Sequence, residues 1–557
     1  MPGLATIRRL EHASHLNPTV EDRLDRLISW LTLLFVLLTS GWLFSAALRQ
    51  HSSAMRFLED DFFYYAKIAV NIAAGRGSTF DGVTPTNGYH PLYFLVLLPA
   101  AWVRGGLTSF LVELWLLAIA ASVVTFVFAR RIFRAAGCDE KLASALGLLA
   151  IWLPMRMFYQ SMEVTLTIPL AMVLLWLCVD ALSRAEFTWR RAAVIGIVAA
   201  AMVLSRLDSS LLVMLLVLAV MCEGELRRAL TPAPVVAFMI AGGAPILVYL
   251  ASNQFWFHTW MPISGMAKQE RFSHAPSYFA LYSALWGKAL LLLGMDAAAL
   301  LAWLVWRRKM EPRWRAVLLA AILFPLLQIG LFSILSDWQM WGWYHYTFVP
   351  ALLAMLVMWW QRAEFSSTRE WARPAGYVLL GIAAVVTAAN HWKMSDEMVQ
   401  ISEAAEQLQI FAATHPGKYA MGDRAGMVGW LLPEPLFQTE GLVEDRAWLT
   451  TLHAQGDLAD ALRERGVRYY VTTVWPESAV WAKYAQGFAA NVVVPDGCTL
   501  AIEPEQAGPT APHLRTVLCS PLATIAIAAS GNIPGKKVLV FDLSSARPQR
   551  AAAQPAP

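Results

Sequence analysis

Charge is what this 557-residue chain has least of: Asp, Glu, Lys and Arg together make up 15% of it, while 57% is hydrophobic. A soluble protein of this length needs more polar surface than that, and with a mean hydropathy of +0.48 the chain belongs in a membrane. Its 44 basic and 40 acidic residues leave a net charge of +4. No Lys/Arg block accompanies that balance, so nucleic-acid binding is excluded on charge. Cysteine is scarce as well, five in all and without metal-ligand spacing, which argues against a zinc module, a c-type haem site or a disulfide scaffold.

Long apolar runs fill the chain up to about Asn390, and ordinary globular sequence follows. The first run, 27–48, would reach ~33 Å as a helix, enough to span a bilayer core and too long for the apolar region of a signal peptide. Further runs at 107–129, 142–157, 162–182, 192–207, 209–221, 234–250, 284–306, 316–335, 346–360 and 375–389 make about eleven candidate spans. The predicted fold is therefore mainly α: a polytopic transmembrane helical bundle with juxtamembrane helices and a C-terminal α/β domain. Its predicted parts are a cytoplasmic N-terminal segment 1–26, a transmembrane module 27–392, an extracytoplasmic domain 393–544, and a tail 545–557, rich in Ala and Pro, without fixed structure.

Basic residues set the orientation. Arg8, Arg9, Arg23 and Arg26 precede the first run, and the Arg130, Arg190 and Arg307 clusters join them on the inner side only if the apolar segment 92–103 does not cross. At ~18 Å of helix that segment is too short to do so. The scheme places the N-terminus in the cytoplasm and the C-terminal domain outside, as in a bacterial inner membrane protein with a periplasmic domain. Cys498 and Cys519 are then the only cysteines outside, where disulfides persist, and are expected to be bonded.

The same scheme gathers carboxylates at the outer face: Asp60, Asp61, Asp81, Glu163, Asp208 and Asp337, from four separate connections. Ionisable groups at membrane depth are expensive and normally face a cavity or a partner, so their convergence predicts a polar chamber. After the Asp60/Asp61 pair, Phe62-Phe63-Tyr64-Tyr65-Ala66-Lys67-Ile68-Ala69-Val70-Asn71 suits an amphipathic helix over 61–74 lying on the membrane. Gly75 and Gly77 end it, and Thr84-Pro85-Thr86-Asn87-Gly88 supplies turn chemistry before Tyr89-His90-Pro91-Leu92.

This stretch resembles the GT-C superfamily of integral-membrane glycosyltransferases that use polyprenyl-phosphate sugars. The acidic pair after the first span carries the likeness, with Tyr65, Asn71, Gly75-x-Gly77 and Thr86 to Leu92. Gln160-Ser161-Met162-Glu163, Ser205-Arg206-Leu207-Asp208 and the loop with Pro262, Ser264 and Lys268 are similar in kind. Gly422-Asp423-Arg424-Ala425-Gly426 and Glu440-Gly441-Leu442-Val443 look like the extracytoplasmic domain of bacterial arabinofuranosyl- and mannosyl-type members.

The resemblance implies inverting transfer of a sugar from a polyprenyl-phosphate donor to a hydroxyl of an extracytoplasmic glycan, lipid or protein. The lipid tail would lie in a groove between spans. Such chemistry needs a base for the acceptor proton and cations for the departing phosphate. Asp60 and Asp61 are the candidate bases, with a lean toward Asp60. His90, Arg206, Lys268 and His345 are the candidate cations, and Tyr65, Glu163, Asp208 and Tyr344 complete the expected substrate-binding set. Side chains can neutralise a monophosphate, so no metal ligands or cofactor are expected; a divalent cation is compatible but not indicated. The alternative reading is a multi-span transporter or lipid flippase, for which Asp296 inside a span is the suggestive residue, although no internal repeat supports it.

Overall fold

The computed structural model describes residues 55–544 except 104–105, 160, 184–186, 274, 286–287, 364–368, 392–394 and 477–491, together with a few positions between 27 and 45. The segments 1–26 and 545–557, most of the run 27–48, and Gln160 lie outside the described residues.

Each apolar run from 107 onward forms a helix. Leu107–Ala135, Val164–Leu182, Pro232–Phe257, Ala289–Lys309 and Pro312–Leu335 are each long and apolar enough to cross a membrane. The other apolar runs form Glu140–Trp152, Trp189–Ser205, Ser210–Cys222, Phe348–Ala363 and Arg369–His391. Burial sorts the long helices into layers. In the most apolar window of Val164–Leu182, 61% of the residues are buried, against 6% in Pro232–Phe257. The first is therefore the centre of the bundle. The second presents Val236, Met239, Ile240, Leu247 and Val248 outward, as a helix solvated by lipid does.

Segment 92–103 forms the 12-residue helix Pro91–Trp102, with Pro91 at its first turn, where the missing N–H costs nothing. The helix predicted over 61–74 runs Asp60–Ala73, but it is not spread on a surface. Phe62, Phe63, Tyr64, Tyr65, Ile68 and Asn71 are all buried, so both faces of the helix are covered. What covers it is the C-terminal domain. Phe62 and Phe63 share one apolar core with Tyr93 and Phe110 of the bundle and with Met398, Ile401, Met427 and Val428 from beyond residue 395. Trp430 closes the seam, 6.1 Å from the Phe63 ring and 5.9 Å from Phe110.

The C-terminal domain opens with helix Asp396–Ala412, capped by Ser395, and continues in a mixed sheet of order β2-β1-β3-β7-β6. The strands are β1 Tyr419–Met421, β2 Leu436–Gln438, β3 Tyr469–Val474, β6 Ala523–Ile527 and β7 Lys536–Asp542. β2, β1 and β3 run parallel, so crossovers must join them. Helix Ala425–Leu431 supplies one, and Arg446–His453 with Leu458–Glu464 the other. β4 Cys498–Glu503 and β5 Leu514–Cys519 form a separate antiparallel pair in which Cys498 lies opposite Cys519, and the two are bonded. Cys138, Cys178 and Cys222 are not disulfide-bonded among the described residues.

A polar cleft roofed by the C-terminal domain

Asp60 and Asp61 are adjacent in the first turn of their helix and so point about 100° apart. Asp60, 3% exposed, turns up into the C-terminal domain. Its two carboxylate oxygens accept the backbone N–H groups of Gly426 (3.0 Å) and Met427 (2.8 Å), at the start of helix Ala425–Leu431. It satisfies from another part of the chain the donors that a helix start leaves free. Burial pushes its pKa up to about 7, and the Met427 N–H works against that shift.

Asp61 lines a narrow cleft together with Asp60, Lys268, Trp341, Asp423, Arg424 and Glu440. Burial raises its pKa, while the charges of Lys268 and Arg424 hold it down. Lys268 sits on the short helix Ile263–Gln269. That helix is anchored by Asn87 of the Thr-Asn-Gly turn, whose Oδ1 accepts the Ile263 N–H at 2.9 Å and whose Nδ2 donates to Thr259 at 3.1 Å. Lys268 Nζ donates to the Tyr344 hydroxyl at 3.2 Å and lies over the Trp338 ring at 5.9 Å. It points into the protein rather than out to headgroups. Burial opposes its charge, but Tyr344 and Asp61 prevail and keep it protonated above the usual lysine range.

Arg424 is the cation that the sequence reading passed over. In the sequence its motif carries only the likeness to an extracytoplasmic domain, although a charged residue between two glycines next to an aspartate is the available signal. Its backbone is left-handed, φ 64°, a conformation that costs a non-glycine residue energy and is held by its surroundings. The guanidinium pairs with Glu397, reaches Asp423 at 3.3 Å and stacks over Trp341 at 4.5 Å. Asp423 accepts from Gln506, and Glu440 accepts from Gln438 at 3.0 Å while its second oxygen is buried without a partner. The roof of the cleft is therefore built by residues from beyond position 420.

A second polar layer adjoins the first. Arg206, 2% exposed, bridges Glu163 and Asp208, reaching the latter at 2.8 Å, and its guanidinium stacks on Tyr344 at 4.3 Å. Asp208 also accepts from Gln328 (2.8 Å) and Tyr346 (3.3 Å), so the network ties four helical segments together. Arg206 is thus committed to two carboxylates, and Tyr344 links its layer to Lys268. His90 stands 3.8 Å from Glu163, and burial with the neighbouring charges of Arg206 and Lys268 pushes its pKa down to about 3.

Two expected residues stand apart from the cleft. The ring nitrogens of His345 face the carbonyls of Gly342 (3.1 Å) and Ala284 (3.2 Å). Tyr65 packs edge-on against Tyr93, and its hydroxyl accepts the His90 N–H at 3.5 Å. Asn71, Asp81 and Asp337 turn out to be fasteners. Asn71 donates to the Thr79 and Phe80 carbonyls, Asp81 pairs with Lys418 at 3.0 Å, and Asp337 accepts the Thr510 N–H at 2.7 Å. Among the described residues no group of three or more His, Cys, Asp or Glu has an arrangement that could hold a metal ion.

No family model matches the sequence, and no curated protein matches it. Among solved structures the chain is similar to ArnT from Cupriavidus metallidurans bound to undecaprenyl phosphate, at 15% identity and a TM-score of 0.49 over 94% of this chain and 99% of that one. It is also similar to the oligosaccharyltransferase of Archaeoglobus fulgidus in the apo form, at 10% identity and a TM-score of 0.46 over 83% of this chain and 71% of that one. The archaeal oligosaccharyltransferase AglB from the same organism, in complex with an inhibitory peptide and a dolichol-phosphate, aligns at 12% identity and a TM-score of 0.42 over 83% of this chain and 70% of that one.

Proposed function

We propose that the chain is an integral-membrane glycosyltransferase that moves a sugar from a polyprenyl-phosphate donor to a hydroxyl of an extracytoplasmic acceptor, with Asp61 as the general base. The observation that carries this reading is the division of labour in the acidic pair. Both carboxylates line the cleft, but each Asp60 oxygen already accepts a backbone N–H, from Gly426 and Met427, whereas Lys268 is the leading charge acting on Asp61. The order of motifs along the sequence supports the same reading.

In the proposed step the acceptor oxygen attacks the anomeric carbon from the face opposite the phosphate. The bond from that carbon to the phosphate oxygen breaks, and configuration inverts. The acceptor proton passes to the Asp61 carboxylate, and the electron pair leaves on polyprenyl phosphate, whose negative charge is met by Lys268. A positioned base contributes ~10²- to 10⁴-fold. Fixed cations in a site shielded from water act more strongly than they would in solvent. Arg424, stacked on Trp341 beside Asp423 and Glu440, lies on the side of the C-terminal domain and orients the acceptor.

The test is product formation from a purified polyprenyl-phosphate sugar. Asp61→Asn keeps fold and donor binding and loses transfer, because the amide preserves shape but cannot take the proton. Asp60→Asn loses stability, while the fraction that folds turns over. Full turnover by Asp61→Asn, or loss of turnover in well-folded Asp60→Asn alone, would overturn the assignment.

A further inference from the structure

The bundle holds a second cavity, at the end opposite the polar cleft. Helix Leu107–Ala135 begins beside the cleft's floor, where Phe110 packs edge-on against Phe62 at 6.0 Å. Its 29 residues carry the chain ~43 Å away at 1.5 Å per residue. Helix Pro312–Leu335 makes the same journey in reverse, from this far end to just before Trp338 at the cleft. Around Ala135, Pro312 and Arg362 the ends of these helices enclose a cavity of about 510 Å³.

Its lining is amphipathic. Trp314 and Met358 are each 2% exposed and form an apolar floor, with Trp306 beside them. Lys309 and Arg362 stand exposed at the rim, and the Arg362 guanidinium lies 4.2 Å over the Trp306 ring. Glu311, the carboxylate in the lining, is paired to Arg313 at 2.6 Å. Nearby Arg315 is likewise taken, by Glu223 at 2.9 Å. Among the described residues Lys309 and Arg362 have no carboxylate partner within 4 Å, and they are the basic groups in the cavity's lining.

A soluble anion would need nothing more than that rim. The flank beside it argues for a lipid: Leu301, Leu304 and Val305, on the helix that ends at Trp306, are 65%, 49% and 73% exposed and run outward from the cavity. A ligand that fits rim, floor and flank together has a phosphate, a glycerol-sized linker and acyl chains. We propose that this cavity binds an anionic phospholipid, with Lys309 and Arg362 on the headgroup phosphate, Trp306 and Met358 against the glycerol backbone, and the chains along Leu301 and Val305. Basic pockets between helix ends are a recurrent way to hold such headgroups. The proposal does not depend on the glycosyltransferase reading, because the site lies at the other end of the bundle.

The experiment uses the full chain, reconstituted in bilayers of phosphatidylcholine with or without 20–30% phosphatidylglycerol, roughly the range in which charged headgroups matter. It reads the thermal midpoint, and native mass spectrometry reads the lipids retained. The anionic lipid is expected to raise the midpoint and to be retained at least about threefold over phosphatidylcholine. Lys309→Gln, at an exposed side chain, and Arg362→Gln, which also gives up the Trp306 stack, are expected to cut that preference at least twofold each, with Lys309→Gln leaving the midpoint in phosphatidylcholine unchanged. Equal retention of both lipids, or variants that keep the full preference, would overturn the proposal. So would a full midpoint shift from soluble glycerol phosphate, which marks a plain anion site, or displacement of phosphatidylglycerol by equimolar polyprenyl phosphate, which marks a donor site.

Discussion

Two neighbouring aspartates differ here because a strand-to-helix turn from 366 residues later in the chain lands on one of them. That the pair mattered is legible in the sequence, since two acids straight after a span are costly and unusual. Which of the two does chemistry is not legible in the sequence, and the arrival of Gly426 and Met427 on Asp60 is what moves the proposal from Asp60 to Asp61. Asp60→Asn replaces one acceptor oxygen with a donor facing a backbone N–H, which leaves a buried group unsatisfied. A loss of about 1–3 kcal/mol is expected, read as a lower denaturation midpoint, while Asp61→Asn stays near the parent protein. The pH dependence belongs to Asp61. As a base it must be ionised; burial raises its pKa, Lys268 and Arg424 lower it, and Glu163 and Asp423 raise it further. The rate under limiting substrate is therefore expected to climb with pH through a limb lying above the usual aspartate range. Lys268, held charged above the usual lysine range, adds no alkaline fall below that range. A rate already level at the usual aspartate pKa would contradict the ionisation assigned to Asp61.

At the scale of elements, hydrophobic runs read well and their lateral packing does not. Every apolar run from 107 onward became a helix because an apolar stretch has no other way to satisfy its backbone away from water. The helix at Asp60–Ala73 was legible as a helix, but its surroundings were not. Its aromatic face looks the same in sequence whether it meets lipid or Met427 and Trp430. Arg206 illustrates the same limit: spacing placed it between two helices, and only the fold supplies Glu163 and Asp208 on either side of it. Arg206→Gln leaves the buried Glu163 carboxylate without its cation and beside the partly exposed Asp208, and about 3–5 kcal/mol of destabilisation is expected. Glu163→Gln leaves Arg206 its Asp208 partner and is expected to cost less. Thermal unfolding of the two variants in the same detergent checks the order, and an equal or inverted cost would show that Asp208 does not hold Arg206 by itself.

For the whole molecule, the C-terminal domain is a structural half of the cleft rather than an appendage. The two halves meet backbone to backbone. A Cβ on Gly426 would overlap the Asp60 carbonyl, and one on Gly88 would overlap the Leu442 carbonyl. The sequence shows both glycines in turn-like motifs, where conformational freedom is the ordinary explanation; the structure gives closeness of approach instead, since neither has a positive φ. Around them the Asp81–Lys418 ion pair and the Asp337–Thr510 hydrogen bonds close the same seam. Gly426→Ala therefore has to push helix Ala425–Leu431 off the Asp60 oxygens, and with it Asp423 and Arg424 away from Asp61. The expected result is a membrane-inserted protein with at least about tenfold lower transfer, the equivalent of ~1.4 kcal/mol. Amide hydrogens of helix Asp60–Ala73 should also exchange faster than in the parent. Gly243→Ala, at a position where a Cβ meets nothing within 4 Å, is the matched control and should change neither readout. If Gly426→Ala behaves like Gly243→Ala, the domain does not need its close seat on Asp60, and the cleft would have to work without its roof.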